Sequence, residues 1–224
     1  MFAAIFVVRP GNGQFQKYLE LAKSLRSELE KIDGFIENER FGSKRDAGRV
    51  LSLSVWRDEK ALIRWRTLGM HHEVQKIGHY EVFDDYHLRV GEITSDTALP
   101  RGQALPQRRF DETVTGRAKA VTICEFLPDG GAAPAEHELV DALCLPAAGT
   151  QGAVDREMFE SIYRPGKLLL LSAWQDAASA TRWTSVCPAQ GQLRLRQVRV
   201  IRDYGKFDRA EAPQFFPTAD SGGE

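Results

Sequence analysis

An offset of 118 residues superposes the second part of this chain on the first. At that offset Trp56 and Trp65 meet Trp174 and Trp183, and no gap is needed between about residue 2 and residue 90. Roughly a quarter of the paired positions are identical, which indicates an internal repeat. The chain is therefore predicted to hold two copies of one module, so any fold proposed for it must be built twice.

Each copy has the pattern strand, helix, strand, strand, helix, strand. Apolar residues recur with the period of one helix face over residues 15–32, and Arg49–Trp56 alternates between two faces as a strand does. Asp58 is a predicted N-cap of the second helix, and Tyr80–Val90 is the predicted fourth strand. This order predicts an α+β fold made of two tandem ferredoxin-like βαββαβ modules.

Two helices cover only one face of a four-stranded sheet, and the alternation leaves large apolar residues on the other face as well. We therefore expect the two antiparallel sheets to pack face to face as a pseudo-dimeric α/β barrel within one chain. Further homo-oligomer formation stays open. The predicted boundaries are 1–93 for the first module, 94–117 for a linker, 118–208 for the second module and 209–224 for a tail.

Composition argues against several classes of function. The chain has 224 residues and a formal net charge of −1, so no basic excess indicates a nucleic-acid partner. The apolar amino terminus, Met1–Val8, is too short to span a membrane, and no membrane association is expected. Cys124, Cys144 and Cys187 lack metal-binding or redox spacing, which predicts free thiols and a cytoplasmic location.

One pattern resembles a known family. Val55-Trp56-Arg57-Asp58 is followed by Arg64-Trp65 and later by Asp85-Tyr86, and the second module repeats these residues at the same offset. The pattern resembles the antibiotic biosynthesis monooxygenase family of dimeric α/β barrels, over nearly the whole chain outside linker and tail. The resemblance implies a monooxygenase that needs no cofactor and acts with dioxygen on a small aromatic or polycyclic substrate.

The quinone-forming members of that family imply one set of site residues. Their pocket tryptophan falls on Trp56, and a basic residue late in the second helix falls on Lys76. Their pocket asparagine falls on Ser52 and their tyrosine on Leu62, so about half of the set is present. By this resemblance Trp56 and Lys76 are catalytic, while Ser52 and Leu62 bind substrate.

The haem-degrading members imply an alternative. Their helix tryptophan matches Trp65, and their iron-ligand position falls on Gln75, with His71 and His72 one helical turn earlier. We keep haem binding or degradation as the alternative, and expect Trp65 and Gln75 to line the substrate pocket. A non-catalytic protein that binds small molecules with the same fold is the third hypothesis.

The repeat is broken at the histidines. His71, His72, His79 and His87 have no histidine counterpart in the second module. Adjacent residues of a helix point about 100° apart, so His71 and His72 do not form a metal site together, and no metal is expected. Either imidazole could act as a general base near Trp65. We therefore expect any chemistry to lie in the first module.

Overall fold

The computed structural model describes residues 1–130, 134–182 and 191–212. The first module contains four strands, with four helices and one π-helical turn, Gly78–Val82. In chain order these elements are β1 (Phe2–Pro10), α1 (Phe15–Ser24), α2 (Arg26–Lys31), β2 (Phe35–Ser43), β3 (Val50–Trp56), α3 (Glu59–Thr67), α4 (Gly69–Ile77) and β4 (Phe83–Asp96).

The second module repeats the order of strands, with one described helix at each place where the first module has two. Its elements are β5 (Ala120–Pro128), α5 (Glu136–Ala142), β6 (Ala153–Ser161), β7 (Leu168–Trp174), α6 (Ala177–Arg182) and β8 (Gly191–Gly205). Within the described part of the chain, no helix is long and apolar enough to cross a membrane.

All eight strands form one closed antiparallel barrel in the order β1-β3-β2-β6-β7-β5-β8-β4. Two seams join the modules: Phe41–Ser43 of β2 pairs with Phe159–Ser161 of β6, and His87–Asp96 of β4 pairs with Arg196–Gly205 of β8. Closure removes the exposed sheet edges that a single module would present. The predicted α+β barrel of two ferredoxin-like modules is confirmed.

The registers of the first three strands in each module follow the offset seen in the sequence. The fourth strand departs from it, because β8 pairs with β5 at positions only 107 residues beyond those at which β4 pairs with β1, so the predicted ungapped repeat does not extend to that strand. Phe2 lies opposite Trp56 in the first module, and Ala120 lies opposite Trp174 in the second. Both residues of this pair are shifted by 118 residues between the modules. Both modules therefore place a tryptophan at the same corner of the sheet, where a large side chain fills the space under the second helix.

Strand alternation divides the side chains between two environments. One face of every strand points into the barrel, where aliphatic and aromatic residues of both modules form one cluster that includes Ile5, Leu53, Ile123, Phe159 and Val198. The other face points toward the helices. Burial of each such side chain contributes about 1.5–3 kcal/mol to the free energy of unfolding. Packing in the shared interior is therefore the main interaction that holds the two modules together.

Ion pairs cross from one module to the other on the barrel-facing side of β2. Glu37 accepts from the guanidinium of Arg196 at 2.7 Å, and Glu39 accepts from the ammonium of Lys167 at 2.7 Å. Arg196 is 1% exposed. Loss of one partner from such a pair would leave a buried charge uncompensated. These contacts therefore help to fix how the two sheets meet.

Local signals explain the helix ends. Asp58 caps α3, because its carboxylate accepts from the amide of Ala61 at 2.8 Å, as predicted. Gly34 has a φ of 92°, which only glycine adopts without strain. The fourth strand differs from the prediction. It begins at Phe83 rather than Tyr80, because Gly78–Val82 forms the π-helical turn, and it continues to Asp96.

Candidate functional site

A cavity of about 300 Å³ lies in the first module, between the outward face of the sheet and the helices. Its floor is formed by small and polar side chains of the central strands, among them Ala4, Asn38, Ser52 and Ser54. Because these side chains are short, they leave space where larger residues would meet the helices. The volume is at the lower end of the range for small-molecule sites.

Helices α1 to α4 form the roof of the cavity with mainly apolar residues. Leu21 and Leu29 come from the first two helices, Leu25 from the junction between them, and Leu62 and Trp65 from the third helix. An apolar roof over a partly polar floor favours a ligand that is mostly hydrocarbon with a few polar atoms.

Three aromatic rings form a ladder at one side of the cavity. The indole of Trp65 stacks on that of Trp56 at a centroid distance of 6.4 Å, and the imidazole of His71 stacks on Trp65 at 4.1 Å. Trp65 and His71 line the cavity, whereas Trp56 is 0% exposed and packs in the core behind them. Trp56 therefore supports the wall and does not face the cavity.

His71 is held in one orientation and in one charge state. Its Nδ1 lies 3.0 Å from the carbonyl oxygen of Trp65, so the neutral ring carries its proton on Nδ1 and has a free lone pair on Nε2. Burial lowers the pKa of His71 from 6.5 to about 4. At neutral pH the ring is uncharged and can accept a proton or a hydrogen bond, although it is a weak base.

A second polar group lines the cavity near the start of β4. The hydroxyl of Tyr86 lies 3.0 Å from Nδ1 of His79 and accepts a hydrogen bond from Arg209 at 2.7 Å. Burial raises the pKa of Tyr86 and lowers the pKa of His79. A neutral tyrosine hydroxyl held between an imidazole and a guanidinium can donate to, or exchange a proton with, a bound oxygen.

Part of the cavity wall comes from the second module. Arg202 and Tyr204 of β8 and the following Arg209 line the cavity, because β8 runs alongside β4. Burial raises the pKa of Tyr204 to about 12, which keeps that hydroxyl protonated. The site is therefore built by both halves of the chain, although its floor and roof belong to the first.

Several buried polar atoms of the cavity wall have no hydrogen-bond partner among the described residues. They include the hydroxyl of Tyr18, Nε of Arg40 and Oε1 of Gln75. An unsatisfied buried polar group costs about 1–3 kcal/mol, so proteins rarely keep one without a reason. Three such atoms around one cavity indicate that a bound molecule or water completes them.

Comparison with known proteins shows the family of the chain. The sequence model of the antibiotic biosynthesis monooxygenase family matches residues 1–77. A curated protein of Pyricularia oryzae, named jasmonate monooxygenase ABM, is 43% identical over 227 residues, which span 98% of this chain and 100% of that protein. This chain belongs to the antibiotic biosynthesis monooxygenase family.

Among solved structures, two aldoxime dehydratases share the fold of this family member. One, in complex with butyraldoxime, has a TM-score of 0.56 and 12% identity, and covers 94% of this chain and 80% of its own. The other has a TM-score of 0.54 and 13% identity, and the match covers 89% of this chain and 80% of that dehydratase. At such low identity the likeness shows the fold alone.

The cavity brings together five of the eight predicted site residues of this family member. Ser52, Leu62, Trp65, His71 and Gln75 all line it. The other three lie elsewhere. Trp56 is in the core, Lys76 is exposed and pairs with Glu73 at 3.0 Å, and His72 is not among the lining residues.

Sequence reasoning missed most of the polar wall. Arg40 and Asn38 lie on β2 at alternate positions, so strand alternation could have placed them beside Ser52, which is the register neighbour of Arg40. Tyr18 belongs to the apolar helix face predicted over residues 15–32, and periodicity alone assigns no role to its hydroxyl. Arg209 falls in the predicted tail, and its role depends on a contact that only the folded chain reveals.

The equivalent space in the second module is filled. Leu170 replaces Ser52 and Met158 replaces Arg40, and both are buried in one apolar cluster with Phe126, Leu139 and Leu143. Trp183, the counterpart of Trp65, lies outside the described residues. Within residues 1–130, 134–182 and 191–212, no group of three or more His, Cys, Asp or Glu side chains is arranged to hold a metal ion.

Proposed function

We propose that this protein is a monooxygenase that binds a small, mainly apolar ring compound in the first-module cavity and inserts one atom of dioxygen into it. The observation that carries the proposal is the apolar cavity with a neutral imidazole, His71, stacked on Trp65 at its wall. Membership of the monooxygenase family supports the reaction type.

We propose that a polycyclic phenol would react without a resident cofactor. Such a substrate supplies its own electrons, because a phenol with a free ring CH and dioxygen give a quinone and water. One oxygen atom becomes the new carbonyl and the other becomes water. The Nε2 lone pair of His71 would assist removal of the phenolic proton, and the hydroxyls of Tyr86 and Tyr204 would donate to the oxyanion that forms.

A weak base suffices only if the oxyanion is stabilised. The pKa of His71, about 4, lies far below that of a phenol, so proton transfer to the imidazole alone is uphill. The tyrosine hydroxyls and the arginines of the wall supply the compensating donors in a mainly apolar site. The proposal therefore needs both sides of the cavity.

A cyclic carboxylic acid is the second candidate substrate. The Pyricularia oryzae relative is named for jasmonate, which is a cyclopentanone bearing a carboxylate and an apolar side chain. The cavity wall contains four arginines and one acidic residue, Glu59, whose carboxylate accepts from Arg109 at 2.7 Å. Hydroxylation of a saturated carbon needs two electrons from outside, so this reaction would require a reductant such as a reduced nicotinamide.

Oxygen consumption separates these two reactions. We expect either 1-naphthol to be oxidised without a reductant, or jasmonic acid to be hydroxylated only when a reduced nicotinamide is supplied, with one atom of ¹⁸O₂ in the product. Ser52→Leu, which fills the floor with the residue of the second module, should abolish the reaction. No oxygen uptake with either compound under both conditions would contradict the proposed function.

The haem and non-catalytic hypotheses have their own tests. His71 could offer only Nε2 to iron, because Nδ1 faces the carbonyl of Trp65. Titration with micromolar haem should shift the Soret band if this imidazole binds the iron, and His71→Gln should remove that shift. A protein that binds ring compounds tightly in the cavity but never consumes oxygen would support the non-catalytic hypothesis.

A further inference from the structure

We propose that Arg40 and Tyr18 together form an anion anchor, which binds the carboxylate of a substrate that is a cyclic or aromatic acid. The inference deepens the proposed function, since it uses the same cavity and names the chemical class of the molecule that fits it. It also assigns the residues that determine specificity for an acid over an uncharged analogue.

The guanidinium of Arg40 lies in the cavity wall with no acidic partner. Arg40 is half-buried on β2, and its Nε is buried without a hydrogen bond. The carboxylates of Glu37 and Glu39 on the same strand bind residues of the second module, at Arg196 and Lys167. Within the described part of the chain, no carboxylate forms an ion pair with Arg40.

Tyr18 provides the second donor. Its side chain is 6% exposed, and the hydroxyl has no hydrogen-bond partner among the described residues. Burial raises the pKa of Tyr18, while the charge of Arg40 and the closeness of its guanidinium to the hydroxyl act in the opposite direction. The two groups are thus neighbours, although no hydrogen bond of good geometry joins the hydroxyl to a described residue. The hydroxyl therefore stays protonated at neutral pH. A guanidinium and a hydroxyl near each other cannot satisfy each other fully, but one carboxylate can accept from both.

Other arginines of the wall are engaged with the protein. Arg209 donates to the hydroxyl of Tyr86 at 2.7 Å, and Arg202 donates to the carbonyl oxygen of Glu211 at 3.4 Å. The acidic residue of the wall, Glu59, is bound by Arg109. Arg202 and Arg209 thus already donate to protein acceptors, whereas Nε of Arg40 is buried without an acceptor among the described residues.

The fold itself does not require this pair. At the offset of 118 residues, Met158 takes the place of Arg40 and Glu136 takes the place of Tyr18. Met158 is buried in the apolar cluster that fills the second module. A strand in the same position is therefore stable with an apolar residue, so the cost of burying an arginine is explained by binding.

The anchor also orients the ligand. Arg40 lies opposite Ser52 in the register of β2 and β3, whereas Trp56, which supports Trp65, is four residues further along β3. At about 3.3 Å per residue this is a distance of roughly 13 Å along the strand. A carboxylate bound at Arg40 would thus leave the apolar remainder of the molecule to extend toward Trp65 and His71.

Binding of jasmonic acid and its methyl ester tests the anchor, because the two differ only in the charged group. We expect the protein to bind the acid at least about 10-fold more tightly than the ester in isothermal titration calorimetry, as loss of a charge-assisted hydrogen bond costs about that factor. Arg40→Met should remove this preference and leave the affinity for the ester within about twofold. Arg40→Lys should keep part of it, and Tyr18→Phe should weaken binding of the acid alone.

Controls separate loss of the anchor from loss of the fold. Arg26→Met, on the exposed side of α2 where Arg26 pairs with Glu30, should leave both affinities unchanged. Thermal melting of each variant reports whether it folds. A preference for the acid that survives in Arg40→Met, or no preference in the wild-type protein, would overturn the inference. If the acid binds through Arg40 but no oxygen is consumed, the anchor stands and the proposed monooxygenase activity fails.

Discussion

Replacement of His71 by glutamine should change how the stability of the protein depends on pH. Burial lowers the pKa of this imidazole to about 4 in the folded protein, whereas an unfolded chain has a value near 6.5. Between about pH 4 and pH 6.5 the imidazole of His71 is protonated in the unfolded chain but not in the folded protein. Stability therefore rises with pH across this window, and it falls as the solution is acidified from pH 7.

The two pKa values set the magnitude. From pH 7 to pH 5 the contribution of His71 to the free energy of unfolding should decrease by about 2 kcal/mol. The pKa of His79 is also lowered, so the wild-type protein should lose more than this amount. Carboxylates whose pKa is lowered, such as Asp96 and Asp58, start from an ordinary value of 3.8 and lose their contribution only at more acidic pH.

Urea unfolding at pH 5, 6 and 7 measures the effect. Between pH 7 and pH 5 the free energy of unfolding of His71→Gln should decrease by about 2 kcal/mol less than that of the wild-type protein. The matched control is His137→Gln on α5, where the imidazole is exposed and outside the cavity, and it should keep the wild-type slope. A slope in His71→Gln as steep as that of the wild-type protein would refute the buried, neutral state assigned to this imidazole.

Three substitutions test the packing of the cavity and of the barrel interior. Ser52→Leu should abolish ligand binding in calorimetry without lowering the urea midpoint, because the second module folds with Leu170 at that position; a lower midpoint would mean that the cavity cannot be filled. Tyr86→Phe removes hydrogen bonds with His79 and Arg209 and should cost about 1–3 kcal/mol in urea unfolding, whereas an unchanged midpoint would contradict those bonds. Phe159→Ala in the barrel interior should cost about 3–5 kcal/mol and still give one calorimetric transition; two separate transitions would show that the modules unfold independently.

Much of the fold could be predicted because it depends on periodic patterns. The offset of 118 residues fixed the number of modules, and alternation and helix periodicity fixed the type of most elements. Asp58 marked the start of a helix through local chemistry that does not depend on tertiary contacts. The start of β4 could not be placed, because the π-helical turn before it has no distinctive residue pattern.

The site was harder to predict, because the burial depth and the orientation of each side chain decide whether it lines the cavity. Trp56 and Trp65 are nine residues apart and both aromatic, yet one is in the core and the other faces the cavity. His71 and His72 are neighbours on α4, and only His71 stacks on Trp65 and lines the cavity. Arg209 reaches the site from beyond the last strand, and the sequence contains no signal for such a long-range contact.

A cavity in the first half of the chain is lined in part by Arg202, Tyr204 and Arg209 of the second half. This arrangement determines how the site responds to dilution of the protein. If a separate subunit supplied these side chains, their presence in the cavity wall would depend on the protein concentration. At low concentration a weakly associated pair of subunits would dissociate, and the wall would lack them. A covalent tether holds them at a constant, high effective molarity. It also lets one lobe specialise for ligands while its sister becomes a fixed support, which two identical subunits cannot do.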